Sequence, residues 1–170
     1  MEILKIAIEW AKDEIYSSKF FILFGILFLI GAIGFWQLGK TEMAKAYLYP
    51  LLVCGVLLVL VGSGLVYTNY KRLDAFEKVA PENLSTLVAS ELVRAERTII
   101  EYERIVFKAI PLIIVCFALL LFFSSQPIWR AVSTATMGMM VVVLSIDSNA
   151  YQRMKSYKAH LISFEIQKES

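Results

Sequence analysis

Charge is missing from four long stretches of this chain, and those stretches limit what it can become. No Asp, Glu, Lys or Arg falls between Lys19 and Lys40, between Lys45 and Lys71, or between Lys108 and Arg130. A fourth gap runs from Ala131 to Ile146 and ends at Asp147. Leu, Ile, Val and Phe dominate these runs. About 20 apolar residues in a helix cross the roughly 30 Å hydrocarbon core of a bilayer. Hydrocarbon gives the backbone no hydrogen-bond partner, and a helix satisfies its amides within one segment. The gaps therefore predict four transmembrane helices, at 20–38, 47–69, 107–124 and 128–147. The last is the shortest, and reaches full length when Pro127, Ile128 and Trp129 open it and Arg130 snorkels outward.

Composition agrees. Over 170 residues the mean hydropathy is +0.65, with 58% hydrophobic and 19% charged residues. The first apolar run is too long for a cleavable signal peptide, acidic residues precede it, and no small-residue cleavage motif follows it. It is expected to stay as the first span.

Basic residues set the expected orientation, because short cytoplasmic loops carry the excess of Lys and Arg. Lys5, Lys12 and Lys19, the seven basic residues from Lys71 to Lys108, and Arg153, Lys155, Lys158 and Lys168 would share one side; only Lys40, Lys45 and Arg130 fall on the other. Both termini are thus expected in the cytoplasm. Trp36, Tyr47, Tyr49 and Trp129 suit the outer interface, and Trp10, Tyr67 and Tyr70 the inner one.

The flanking segments also read as helices. Residues 1–19 are amphipathic, with Glu2, Lys5, Glu9, Lys12 and Asp13 on one arc; they either lie on the inner leaflet or run straight into span one. Residues 70–106 read as a helical hairpin. Leu73, Phe76 and Val79 share one side before Pro81, and Asn83 is placed to cap the restart. Beyond it Leu84, Val88, Leu92, Ala95, Ile99, Tyr102 and Val106 recur at steps of three and four, with Arg97 and Glu101 at pairing distance on the polar face. Pro111 is positioned to kink span three. The tail, 148–170, repeats the pattern at Ala150, Met154, Tyr157, Leu161 and Phe164. Such stripes need partners, and the nearest are each other. The expected fold is all-α, a single membrane domain spanning 1–170, with four helices in one up-down-up-down bundle and its inner half a cytoplasmic stalk. Leu84, Val88, Leu92, Ile99, Met154, Leu161 and Phe164 form its packing seam or a surface for a partner. The outer loops, 39–45 and 125–127, are too short to hold a domain.

Asp147 is the candidate ionisable site. It lies three residues before Ala150, on the inward seam, about 27 Å along the helix from Trp129. An intramembrane acid facing a bundle interior reads as a proton or cation site. The competing and preferred reading is a boundary acid paired with a cation at its depth: Lys19, Lys71, Arg104 or Lys108.

Other features favour packing. Ser133, Thr134, Thr136 and Gly138, with Gly25, Gly31, Gly34, Gly55, Gly62 and Gly64, suit close helix contacts with hydroxyls bonded back to the backbone. Met137, Met139 and Met140 lack a Cys or His companion for soft metals. Cys54 and Cys116 sit in apolar runs as small hydrophobes. His160 is the only histidine and completes no triad or metal set. The basic middle segment is balanced by glutamates and reads as a solvated face, so no nucleic-acid partner is expected. There is no Gly-rich phosphate loop, H-E-x-x-H or G-x-S-x-G. No enzyme activity, cofactor or metal is expected.

The pieces FWQLGKTEMAKAY, QPIWRA and SIDSNA, in that order within four spans, resemble a family of small inner-membrane proteins encoded in flavobacteria and their relatives. The resemblance covers most of the chain and implies a bacterial inner membrane; it carries over no functional residue. The leading expectation is a non-enzymatic membrane subunit or scaffold that docks another protein, or further copies of itself, through bundle and stalk. A small oligomeric channel or transporter is the alternative, and an immunity protein against a membrane-directed toxin is a third reading.

Overall fold

The computed structural model describes residues 2–80 and 83–169, with side chains described through residue 166. All of its regular structure is helical: α1 (Glu2–Leu38), α2 (Glu42–Ala46), α3 (Leu48–Glu77), α4 (Leu84–Arg104), a π-helical turn (Ile105–Ala109), α5 (Ile110–Phe123) and α6 (Pro127–Glu169). Four stretches, in α1, in α2–α3, in α4–α5 and in α6, are long and apolar enough to cross a membrane.

The amphipathic N-terminal segment does not fold back. It runs without a break into the first apolar run, and α1 is one helix of 37 residues, about 55 Å long. The 39–45 connection is not a plain loop. Thr41 Oγ1 accepts a hydrogen bond from the Ala44 amide at 3.1 Å and caps the short helix α2. Asn83 occupies the cap position of α4, yet its side chain makes no capping hydrogen bond; Pro81 lies outside the described residues.

Pro111 acts as a local reorganiser rather than a simple kink. A proline lacks the amide that would bond four residues back, and its ring crowds that carbonyl. Just ahead of it the helix widens into the π turn, where the Ile110 amide bonds the Ile105 carbonyl five residues back. α4 and α5 thus form one long rod with a re-phased joint.

Contacts show antiparallel pairing. Ideal Cβ atoms built on Gly25, Gly55 and Gly62 would lie under 3.0 Å from atoms of the facing helix, so α1 and α3 approach with little between their backbones. Gly31 faces Leu51 more loosely, while Gly34 and Gly64 meet nothing within 4 Å. Those two are therefore not interface glycines. α6 runs antiparallel to α1, with Trp10 beside Tyr157 near one end and Phe28 beside Gly138 farther along. It is also antiparallel to α4, where Glu91 meets Tyr157 and Glu103 meets Tyr151. α5 packs chiefly on α6.

The best-formed core lies in the polar half, not the apolar one. Ile3, Ala7, Trp10, Ala11, Phe76, Val88, Ala95, Met154, Tyr157 and Leu161 are buried together, with Leu84, Leu92, Ile99 and Phe164 packed against them. The seam residues of α4 and α6 thus meet each other and α1. The apolar half has a thinner core of Phe21, Leu58 and Ile146, and exposes Leu27, Ile30, Leu60, Leu112, Leu119 and Phe122. That distribution suits a medium as apolar as the side chains themselves.

Candidate functional site

Inside the polar half, four helices each contribute polar groups to one buried layer. Glu14 and Ser18 come from α1, Asn69 and Arg72 from α3, Glu91 and Arg94 from α4, and Arg153 and Tyr157 from α6. Arg153 Nε donates to Glu14 Oε1 at 3.0 Å. Arg94 donates through Nε to Glu91 Oε1 at 2.8 Å and through Nη2 to Glu91 Oε2. The Tyr157 hydroxyl donates to the same carboxylate at 3.1 Å. Arg72 Nη1 donates to Asn69 Oδ1 at 2.7 Å.

Trp10 organises this layer. Its ring stacks on Tyr157 at 5.0 Å between centroids, while the Arg94 and Arg72 guanidiniums stand 4.5 and 5.5 Å from it. Such contacts are favourable between a cation and an indole face. Burial raises the Glu14 carboxyl above its ordinary value, and the nearby Arg153 charge pulls it partly back. Burial also pushes the Tyr157 phenol up, reinforced by Glu91. Both effects follow from removing charge from water.

The second feature is a groove of about 440 Å³ at the junction of the two halves. Leu57, Leu58, Val61 and Leu65 of α3 form one wall, Met139, Met140 and Val143 of α6 the other, and Phe21 of α1 the floor; Tyr102 and Asp147 close its polar end. Leu57, Val61 and Leu65 remain partly exposed, so the groove opens sideways. The opening exists because α5 packs on α6 and does not cover this flank of α3.

Asp147 therefore stands on a groove wall. Among the described residues, no ion pair within 4.0 Å includes it, whether with Lys19, Lys71, Arg104 or Lys108. Span four's hydroxyls divide. Thr134 Oγ1 donates to the Arg130 carbonyl at 2.9 Å, whereas Ser133 Oγ is buried with no protein partner among the described residues. Cys54 is buried, Cys116 exposed, and both are free thiols. Met139 and Met140 line the groove; His160 borders a shallow pocket beside Trp10 and Arg153. Arg97 Nε donates to Glu101 at 2.9 Å on the exposed face.

Sequence reasoning passed over the polar layer, although its signal was present. Ile3, Ala7, Trp10, Glu14, Ser18, Phe21 and Gly25 recur at steps of three and four, so Glu14 occupies a core position of α1. Glu91 falls between Val88 and Ala95, and Arg153 between Ala150 and Tyr157, at the same steps. A charge on a seam is unstable unless a partner seam supplies its opposite. The chain matches no family model, no curated protein and no solved structure.

Proposed function

We propose that this chain is a non-enzymatic integral membrane subunit, with both termini on the cytoplasmic face of a bacterial inner membrane, that docks another membrane protein along the outer face of α4 and α5. The supporting observation is an exposed apolar stripe whose end outside the span lipid does not account for. Val93 and Ile100 lie seven residues apart on α4, and α5 continues the exposure within the span with Leu112, Val115, Leu119 and Phe122. Val93 is 71% exposed and Ile100 42%. Val93 lies ~21 Å along the helix from Phe107, where the apolar run begins, so water rather than acyl chains would surround it. Exposed apolar stripes of this kind mark protein contacts. The bacterial membrane rests on the family resemblance, and the orientation on the basic residues.

The test is the native mass of the tagged chain after gentle extraction from its own membrane. The expected result is a complex containing a second polypeptide, dissociated by Val93→Lys with Ile100→Lys while the double variant melts like the wild type. A wild-type mass of one chain plus detergent refutes docking.

A small oligomeric channel or transporter is the second reading, supported by Asp147 on the wall of a sideways-opening groove. Ion flux in liposomes that Asp147→Asn abolishes would favour it, and silence across ions and pH gradients would remove it.

A further inference from the structure

We propose that the groove between α3 and α6 is a binding site for a single-chain cationic amphiphile, with an alkyl chain against Leu58, Val61 and Val143 and an ammonium head at Asp147 and Tyr102. This assignment does not depend on partner docking, because none of the residues of the docking stripe lines the groove.

Three observations carry it. First, the volume and lining fit. A cavity of about 440 Å³ lies in the usual range of small-molecule sites, which are mostly apolar with a few placed polar groups. From Leu57 to Leu65, and from Met139 to Asp147, each wall runs ~12 Å along its helix, the length of a medium alkyl chain.

Second, the charge is complementary to a cation and otherwise unanswered. Asp147 closes the polar end, and no ion pair among the described residues includes it. The acid nearest in kind, Glu14, is already held by Arg153. Tyr102 lines the same end of the groove as Asp147, where an aromatic side chain suits an ammonium group. Burial keeps its phenol protonated, with Glu14 and Asp147 reinforcing the effect. An anionic or neutral head would leave Asp147 without a counter-charge at the edge of hydrocarbon, where an unpaired carboxylate is costly. Third, access is lateral. The exposed flank of Leu57, Val61 and Leu65 lets a molecule already dissolved in the membrane slide in chain-first, without crossing a polar barrier.

The test is equilibrium dialysis of radiolabelled decyltrimethylammonium against the full chain in a neutral maltoside detergent, with decanol as the uncharged competitor of equal chain length. The expected result is one saturable site per chain. Asp147→Asn weakens it about tenfold or more, the scale of one charge-assisted contact. Asp147→Glu retains it, and decanol competes far less well than unlabelled cation. Val61 is half-exposed, so Val61→Trp fills the groove without entering the core and blocks binding independently of Asp147. Unaltered binding in folded Asp147→Asn, equal competition by decanol, or no saturable component overturns the proposal. Should Asp147→Asn fail to fold, unaltered binding to Val61→Trp overturns it alone.

Discussion

Glu14 and Arg153, 139 positions apart in the chain, meet across α1 and α6 with Arg153 Nε donating to Glu14 Oε1 at 3.0 Å. The pair is largely shielded from water. Breaking such a pair by removing one partner leaves an uncompensated buried charge and costs about 3–5 kcal/mol, whereas replacing both with apolar residues of similar volume is often close to neutral. Arg153→Met is therefore expected to be strongly destabilising, and Glu14→Leu with Arg153→Met substantially less so than the sum of the singles. Thermal unfolding of the four proteins in neutral detergent measures the coupling. Additive losses would mean that the two side chains act independently.

The same carboxylate predicts a pH dependence of definite sign. Burial raises the Glu14 carboxyl in the folded protein above its ordinary value of 4.5. Over the window above that value, the folded state holds this proton more than the unfolded state does. Stability contributed by the group therefore falls as pH rises, until the folded-state carboxyl is fully ionised. Glu14→Gln carries no titrating proton. The melting temperature of the wild type, taken relative to Glu14→Gln, is expected to fall as pH rises above 4.5. A flat difference would mean that burial and the pull of Arg153 cancel.

Trp10 and Tyr157 separate packing from hydrogen bonding. Tyr157→Phe keeps the ring stacked on Trp10 but removes the bond to Glu91, which retains Arg94. The expected cost is about 1–2 kcal/mol. Trp10→Ala removes the stacked indole and both guanidinium contacts, with an expected cost of about 3–5 kcal/mol. Thermal melts rank the two, and a reversed order would place the stability of this layer in its hydroxyl rather than its stack.

Much of the helical plan was legible because charge gaps and three-four periodicity are local signals. Val88, Leu92, Met154 and Leu161 could be placed on inward seams without coordinates. What could not be read is pairing. Nothing near Glu14 names Arg153, and nothing near Asp147 reveals that the four cations at its depth form no ion pair with it. The groove depends on where α5 lies relative to α3. α5 leaves α4 through the re-phased joint ahead of Pro111, a backbone response whose extent no residue pattern specifies. Glycines show the same limit: six occupy spans one and two, but only Gly25, Gly55 and Gly62 face a neighbouring backbone closely.

That difference among glycines gives a sharp contrast. A Cβ at Gly25 would lie 2.9 Å from both the Gly55 carbonyl oxygen and the Val59 amide nitrogen. Backbone atoms cannot rotate away, so α1 and α3 must separate. Gly25→Ala is expected to cost about 1–3 kcal/mol, the scale of overpacking. Gly64→Ala meets nothing within 4 Å and is expected to leave stability unchanged or raise it by up to about 1 kcal/mol through helix propensity. Melting both variants in one detergent decides the matter, and equal effects would refute the close α1–α3 crossing.

Orientation is the last expectation, and it rests on charge alone. Basic residues crowd the polar half of the helices, while Lys40, Lys45 and Arg130 are the only ones at the opposite end. The bias places the 39–45 connection outside and both termini inside. Alkaline phosphatase inserted after Gly39 is expected to be active, because the enzyme needs an oxidising compartment for its disulfides, and inactive when fused after Ser170. A fluorescent protein that matures in the cytoplasm should give the reverse pattern. The polar layer sharpens the expectation, since Arg72, Arg94 and Arg153 are enclosed with Glu14 and Glu91 rather than offered to the bilayer surface. Replacing the exposed Lys5, Lys71 and Lys155 with Gln should therefore weaken the orientation bias while leaving the melting temperature almost unchanged. Phosphatase activity at the C-terminus of the unmodified chain would invert the whole assignment.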